Sequence, residues 1–399
     1  MDDKGNWTNL YRIELLKDNW FRKLFITSPV KPIIAVWFLF GIIPAILFFI
    51  TSKLDNSFYI EGQRGLIQDY IFLSYYVFIP ALINVALVNF PKLSEVLYSL
   101  EEVIITEKAI LNFNNRKASI SKMNKDCLKE DDFNSLLKTY EAKIIGEKWT
   151  NVIKYLMMGG GLCYVLFIGA RAHWFAMETY GMDIWSSRNY PISFYTRTFY
   201  EAIIFGLIFP VIIYKFLAIL YTMKDICKKL TKMKVLRIRP VNPDRAGGLG
   251  ELGKYSFKMV ILLIPPILPI LTYIFFGNVN IVFIFGLSLY IPLLVFTFFY
   301  PLSGAHRAMR ESKKRELKIL SLEFNKIYDS FIMDIEKNHI HELPSDFEML
   351  EKLDELYAKA ESMPVWPFDT ITITKFGSLL GALALSFWLN WVFGKMLEM

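Results

Sequence analysis

A polar, glycine-rich stretch, RIRPVNPDRAGGLGELG, holds the residue types most able to do chemistry. Asp244 and Arg245 supply opposite charges within it. Its glycines allow positive φ or close approach of backbone amides to a bound group, and the candidate structural positions are Gly247, Gly248 and Gly250. The stretch can form an anion-binding nest or gating elbow, or a tight turn that lets the next span start at the membrane surface. It lacks the Lys-Ser/Thr of a phosphate-binding loop, so nucleotide binding is not indicated.

A histidine and two arginines follow a later apolar run, and they define a second polar position. His306 and Arg310 belong to the polar extension of that run. Because the run ends on the side of the membrane that holds the glycine-rich stretch, His306 can meet Asp244. Asp244, Arg245, His306 and Arg310 are therefore a candidate polar site for a membrane enzyme or a lipid-handling protein. The alternative for His306 is a solvated helix start.

Conventional catalytic and metal-binding motifs are missing from the sequence. There is no GxSxG, HExxH or carboxylate cluster, so an intramembrane hydrolase lacks its parts. Cys127, Cys163 and Cys227 are not spaced for a metal knuckle or a disulfide framework. We assign no catalytic residue, expect no metal and no cofactor, and favour a protein that is not an enzyme.

The composition is that of a membrane protein. Of the 399 residues, 54% are hydrophobic and only 21% are charged. The apolar residues form runs of roughly 20, the length at which a helix crosses about 30 Å of hydrocarbon. The sequence predicts an all-α bundle of seven membrane-spanning helices in the lipid bilayer. The predicted spans are 33–52, 66–90, 152–173, 199–222, 257–277, 279–300 and 376–396.

The basic residues predict how these spans are oriented. Most of the 45 Lys and Arg side chains lie before the first span or after the second, fourth and sixth spans. The opposite side holds only Lys53, Arg64, Arg188, Arg197 and Lys395. Because basic residues are retained in the cytoplasm, the N-terminus is predicted inside and the C-terminus outside. The net charge of +7 then indicates contact with anionic lipid at the basic cytoplasmic face, and no nucleic acid is expected.

Helical periodicity in the long connections predicts helical hairpins on the cytoplasmic side. After the sixth span, a second helix is expected to start at Ser345, since Ser345 and Glu348 have capping-box spacing. The predicted organisation is an amphipathic helix in 1–32, two spans in 33–90, a cytoplasmic hairpin in 91–151, two spans in 152–222, a basic glycine-rich loop in 223–256, two spans in 257–300, a cytoplasmic extension and hairpin in 301–375, and the last span with a short external tail in 376–399.

The last predicted span combines small and polar residues. Gly377 and Gly381 form a GxxxG motif, which is typical of close helix contact. Helix dimerisation and packing within one subunit both explain it, and packing within one subunit is favoured. Ser378, Ser386 and Asn390 add polar groups that need protein or water as partners. These three residues are candidates for lining a permeation pathway.

Ionisable residues inside the other spans are few. Lys215 is the deepest, and it either lines the same pathway or extends its amine to the membrane surface. Asp69, Arg171, His173 and Glu201 lie toward the outer ends of their spans. They are expected either to form an extracellular polar mouth or to reach water individually.

Three functions fit this sequence. The first is a homo-oligomeric ion channel or permeation pathway with the last span near the pore. The second is a membrane enzyme or lipid-handling protein that uses Asp244, Arg245 and His306. The third is a receptor or scaffold whose cytoplasmic helices bind a partner. The scarcity of charge inside the spans favours the channel.

Part of the chain resembles a group of prokaryotic multi-pass membrane proteins of uncharacterised function. The likeness lies in the PDRAGGLG loop, the helix that carries His306 and the stretch MPVWPFD before the last span, and it covers about the C-terminal two-fifths of the chain. It implies a protein of the prokaryotic inner membrane. The order of spans and cytoplasmic helices is also similar to that of insect odorant and gustatory receptor channels, although no motif is shared.

Overall fold

The computed structural model describes residues 32–90, 92–100, 148–232, 246–269, 281–336 and 343–397, together with Ser135 and Thr139. Within these residues the protein is helical, and one backbone bridge joins Arg64 to Ile184. The predicted all-α class is confirmed. The expected amphipathic helix in 1–32 and most of the expected hairpin in 91–151 lie outside the described residues.

Among the described residues, four helices are long and apolar enough to cross a bilayer. They are α1 (Ile33–Leu54), α2 (Tyr70–Asn89), α4 (Val152–Trp174) and α6 (Pro191–Lys232), with the short helices α3 (Lys92–Ser99) and α5 (Ala176–Tyr180) between them. α6 packs against α1 and α4, and α1 packs against α2. Each of these helices is built from an apolar run of the length that the membrane requires.

Three of the four helices contain a π-helical turn, which widens the helix locally. The turns are Phe38–Ile42 in α1, Tyr164–Gly169 in α4 and Ala202–Ile208 in α6. Glycines bring the backbones together beside them: a Cβ on Gly161 of α4 would overlap the carbonyl oxygen of Phe205 in α6. Small residues at such crossings let membrane helices pack by close backbone contact.

The described residues after position 246 add five helices of eight residues or more. They are α7 (Gly250–Leu262), α8 (Ile281–Phe299), α9 (Ser303–Glu336), α10 (Leu343–Glu361) and α11 (Thr370–Leu397). α7 packs against α2, α3, α8 and α11, while α9 packs against α6 and α10. The residues Ser288–Phe299 of α8 and Ser303–Met333 of α9 meet at a bend of 50°.

The observed helices test the predicted membrane spans and the predicted helix cap. In the described part of the chain, four helices can cross a membrane, or five if α8 and α9 count as one bent span, and α11 contains a shorter apolar stretch, Thr370–Leu385. The structure thus supports several spans, and the count of seven and the orientation stay predictions. The second helix predicted after the sixth span is present as α10, but it begins at Leu343, so Ser345 lies inside the helix and is not its N-cap.

The bundle has two ends. At the end that holds Asp69, Arg197 and Glu201, which we call the triad end, α1 finishes and α2 and α6 begin. At the end that holds His306 and Trp366, which we call the junction end, α2 and α6 finish and α9 and α11 begin. A large apolar core extends between the ends along α2, α6 and α7, and a smaller aromatic cluster joins α8 to α11 through Phe298 and Phe376.

Candidate functional site

A buried ion-pair triad lies at the triad end, where Arg197 of α6 contacts two carboxylates. Its Nε donates to Oε1 of Glu201 at 2.8 Å, one helical turn away, and one terminal nitrogen lies 3.6 Å from Oδ2 of Asp69. A terminal nitrogen also donates to the Ser186 hydroxyl at 2.9 Å. All three charged residues are more than nine-tenths buried. A buried guanidinium is tolerated only with such partners, because desolvation of an unpaired charge is costly.

Aromatic rings complete the surroundings of the triad. The guanidinium carbon lies 4.7 Å from the Phe72 ring centroid and 5.4 Å from that of Trp185. Trp185 is fully buried, and its indole nitrogen donates to Asp69 Oδ2 at 3.0 Å. Asp69 also caps α2, since its Oδ1 accepts the backbone amide of Phe72. The triad therefore holds α2, α6 and the connection that carries Trp185 in one arrangement.

The triad differs from both alternatives expected for Asp69 and Glu201, which were a polar mouth and separate contact with water. Asp69 and Glu201 share Arg197, whereas Arg171 is exposed and His173 is half-buried. By hydropathy Arg197 lies in a polar connection before a span, and its burial in the triad is not predicted from the sequence. Its spacing of four residues from Glu201 on a span was the signal that could have revealed a buried pair.

At the junction end, α7 touches the stretch that precedes α11. Gly253 of α7 lies so close to the backbone of Pro367 that a Cβ there would overlap the Pro367 carbonyl oxygen, and it would lie 2.9 Å from Cβ of Phe368. Only glycine permits this approach. The glycine-rich stretch and the MPVWPFD stretch, which are far apart in the sequence, thus meet in the fold.

His306 of α9 contacts the same stretch before α11. Its ring is stacked on Trp366 with 4.0 Å between centroids, and its Nδ1 lies 2.6 Å from the Val365 carbonyl oxygen. About two turns further along α9, the Lys313 amine donates to the carbonyl oxygens of Glu361 and Met363. These bonds hold the stretch between α10 and α11 on α9. We call the set of Gly253, His306, Trp366 and Pro367 the junction.

Asp369 ends the junction and begins α11. Its Oδ1 accepts the backbone amide of Thr372 at 2.8 Å, which is an N-cap. Hydrogen bonds from the side chain and backbone of Thr372 hold the pKa of Asp369 below its usual value. A carboxylate whose pKa is lowered by folding stabilises the fold above its ordinary pKa, and this contribution is lost as the pH falls through the lowered value.

The glycine-rich stretch is described only in part. Gly247 and Gly248 have φ of 67° and 91°, and Gly250 is the first residue of α7. A side chain is strained at positive φ, so this segment has the geometry of a tight turn. Asp244 and Arg245 lie outside the described residues, so their expected meeting with His306 is a prediction only.

The other candidate residues are distributed over two surfaces. Arg310 is exposed on α9, and Lys215 is half-buried in α6. On α11, Ser378 is exposed, and a Cβ on Gly377 or Gly381 would meet no described atom within 4 Å. Packing of this GxxxG motif within one subunit, the interpretation favoured above, finds no support among the described residues.

Helix geometry separates the three polar candidates of α11. At 100° per residue, position 386 lies about 80° and position 390 about 120° around the axis from Ser378. Phe376, by contrast, is buried against Phe298 and is stacked on its ring at 4.2 Å. The open surface of α11 includes Gly377, Ser378 and Gly381, together with the larger exposed side chains of Ile371, Leu385 and Trp388. We call the set of Gly377, Ser378 and Gly381 the small-residue face.

The long apolar helices indicate a helical membrane protein, and one end of its bundle holds the buried ion-pair triad of Asp69, Arg197 and Glu201. Within the described residues, no group of three or more His, Cys, Asp or Glu side chains is placed to hold a metal ion. Comparisons with protein families, with curated proteins and with solved structures gave no match to this chain.

Proposed function

We propose that this protein is a homo-oligomeric ion channel or permeation pathway of the inner cell membrane, with α11 beside the pore. The proposal places the N-terminus and the hairpin of α9 and α10 in the cytoplasm. In it, the small-residue faces of neighbouring copies meet around a water-filled path.

The supporting observation is the small-residue face on the open surface of α11. The open surface of α4 carries large apolar side chains beside Gly159 and Gly160, with Leu156 and Phe167 70% and 72% exposed, as expected of a helix that faces lipid. On α11, Gly377 and Gly381 are exposed beside the hydroxyl of Ser378, in a surface that also exposes Leu385 and Trp388. Small and hydroxyl-bearing residues give lipid little to contact, and they suit helix contact or water.

The junction connects the hairpin of α9 and α10 to α11, so that the hairpin would control the opening of the pathway. α11 begins at Asp369, directly after the stretch that His306 and Lys313 hold on α9. A movement of the α9 and α10 hairpin would therefore be transmitted to the start of α11. The junction acts here as the gating elbow, and the buried triad fixes the opposite end of the bundle.

The second candidate is a scaffold that binds a cytoplasmic partner. Large apolar side chains are exposed along the hairpin of α9 and α10, namely Ile319, Leu322, Phe347 and Met349. The enzyme alternative has less support, because the His306 ring is occupied by Trp366 and Val365.

Oligomer formation through α11 is tested by mass measurement. Replacing Gly377 and Gly381 with leucine should weaken self-association by about tenfold or more, because the backbones lose close approach. The mass of the protein in lipid nanodiscs, measured by mass photometry over a dilution series, gives the result.

The matched control uses Gly159 and Gly160 of α4. These glycines are also exposed, with no described atom within 4 Å of an added Cβ, and leucine there should leave the mass unchanged. A monomeric wild-type protein, or dissociation by the α4 pair and not by the α11 pair, would contradict the proposed role of α11.

A further inference from the structure

The helix α9 has opposite charges in its two halves. The basic residues from Ser303 to Lys318 are Arg307, Arg310, Lys313, Lys314, Arg315 and Lys318, against Glu311 and Glu316. From Ser321 onward Lys326 stands against Glu323, Asp329, Asp334 and Glu336. The positive half is the one attached to the membrane span α8. This polarity is not explained by the junction contacts alone.

Part of the positive charge is already compensated within the protein. Arg307 donates to Glu311 at 3.0 Å, and the Lys313 amine binds backbone carbonyl oxygens. Arg310, Lys314 and Lys318 are exposed, and no ion pair is found for them in the described part of the chain. Their spacing of four residues puts them on one face of α9. We call these three residues the basic face.

The helix dipole does not account for the basic face. Its effect is confined to the first turn of a helix, and Arg310, Lys314 and Lys318 lie about two turns or more beyond the start of α9 at Ser303. The basic face thus has no compensation from the helix itself. By contrast, Lys326 of α9 and Lys352 and Lys359 of α10 are each paired with a glutamate three or four residues away. An anion outside the chain would supply the compensation that the basic face lacks.

The geometry keeps the basic face close to the membrane. α9 leaves α8 at 50°, so at about 1.5 Å rise per residue Arg310 and Lys318 lie roughly 7 and 14 Å below Ser303 along the axis of α8. Aromatic rings gather at this level, as they do at membrane surfaces, with Phe299 and Trp366 5.1 Å apart between centroids. Long Lys and Arg side chains can span the remaining distance to the lipid phosphates.

We propose that the basic face binds the anionic headgroups of phospholipids in the leaflet at the junction end. Lipid is favoured over a soluble acidic partner, because α9 is continuous with a membrane span and stays tilted beside it. This proposal does not depend on permeation, and it applies equally to a channel or a scaffold. It would hold α9, and with it the junction, at a fixed depth in the membrane.

Titration with lipid tests the proposal. The purified full-length protein in mild detergent is titrated with phosphatidylglycerol and, separately, with phosphatidylcholine, and bound lipid is counted by native mass spectrometry. The wild-type protein should prefer phosphatidylglycerol, and high salt should reduce this preference. The variant Arg310→Gln/Lys314→Gln/Lys318→Gln should bind phosphatidylglycerol on the order of a hundredfold more weakly, about fivefold for each cation removed.

The control variant, Lys326→Gln/Lys352→Gln/Lys359→Gln, removes the same net charge from lysines that are already paired. It should bind lipid like the wild type. Equal weakening in both variants, or unchanged binding in the basic-face variant, overturns the proposal. If the basic-face variant is not monodisperse, the wild-type protein is used alone, and its binding of phosphatidylglycerol is compared with its binding of soluble polyglutamate. Binding of polyglutamate without a preference for phosphatidylglycerol also overturns the proposal.

Discussion

Replacing Arg197 with methionine should destabilise the protein more than any other single change considered above. Asp69 and Glu201 would then be buried carboxylates without their cation, and breaking a buried pair in this way costs about 3–5 kcal/mol. The loss should appear as a lower temperature at which the purified protein ceases to be monodisperse on size-exclusion chromatography.

The stability that Arg197→Met removes should be recoverable without the guanidinium. Adding Asp69→Asn and Glu201→Gln should restore much of it, because a neutral buried group replaces each charge.

The exposed Arg188, on the connection that carries Trp185, is the matched control for Arg197. Arg188→Met should leave the stability almost unchanged, since surface charges contribute little. If both methionine variants melt at the same temperature, the triad does not hold α2 and α6 together, and its role as a fixed support is rejected.

Replacing Gly253 with alanine is the second change for which a large loss is expected. The added methyl group would overlap the Pro367 carbonyl oxygen, so the stretch before α11 must move away from α7. Overpacking of this kind costs about 1–3 kcal/mol, and here the obstacle is backbone rather than a flexible side chain. We expect lower thermal stability and faster proteolysis between Met363 and Asp369.

Gly381→Ala is the control, and its expected effect on stability has the opposite sign to that of Gly253→Ala. Gly381 also lies within a helix, but an added Cβ there has no described atom within 4 Å. Alanine should be neutral or stabilising by up to about 1 kcal/mol in the monomer, because it restricts the unfolded chain. Equal loss in the two alanine variants would show that the contact of α7 with Pro367 is not what sets the stability of the junction.

The spans that the sequence could predict are those with strong local signals. α1, α2 and α4 coincide with the predicted apolar runs to within a few residues, because membrane thickness fixes the length of such runs. α6 continues past the predicted span at both ends, since its polar turns are held by the triad and by α9. Hydropathy indicates which residues lie in lipid, and it gives no information about these contacts within the protein.

The two polar centres were harder to predict because they are made by distant residues. Asp69 and Trp185 belong to different connections, and no pattern in either one indicates the other. The MPVWPFD stretch was singled out by its resemblance to other sequences, but its contacts with Gly253 and His306 are visible only in the fold. The GxxxG motif of α11 indicates close helix contact but not which helix makes it. The sequence alone therefore does not distinguish packing within one subunit from contact between copies.

The most direct test of the proposed function is the access of water to α11. In a variant whose cysteines at 127, 163 and 227 are replaced by serine, Ser378→Cys and Phe167→Cys are treated with a membrane-impermeant thiosulfonate. Both positions are exposed in a single copy of the chain. A thiol reacts as the thiolate, which forms in water and not in lipid. The proposal predicts modification at position 378, beside a water-filled path, and none at position 167 in lipid; protection of position 378 to the same degree as 167 would contradict it.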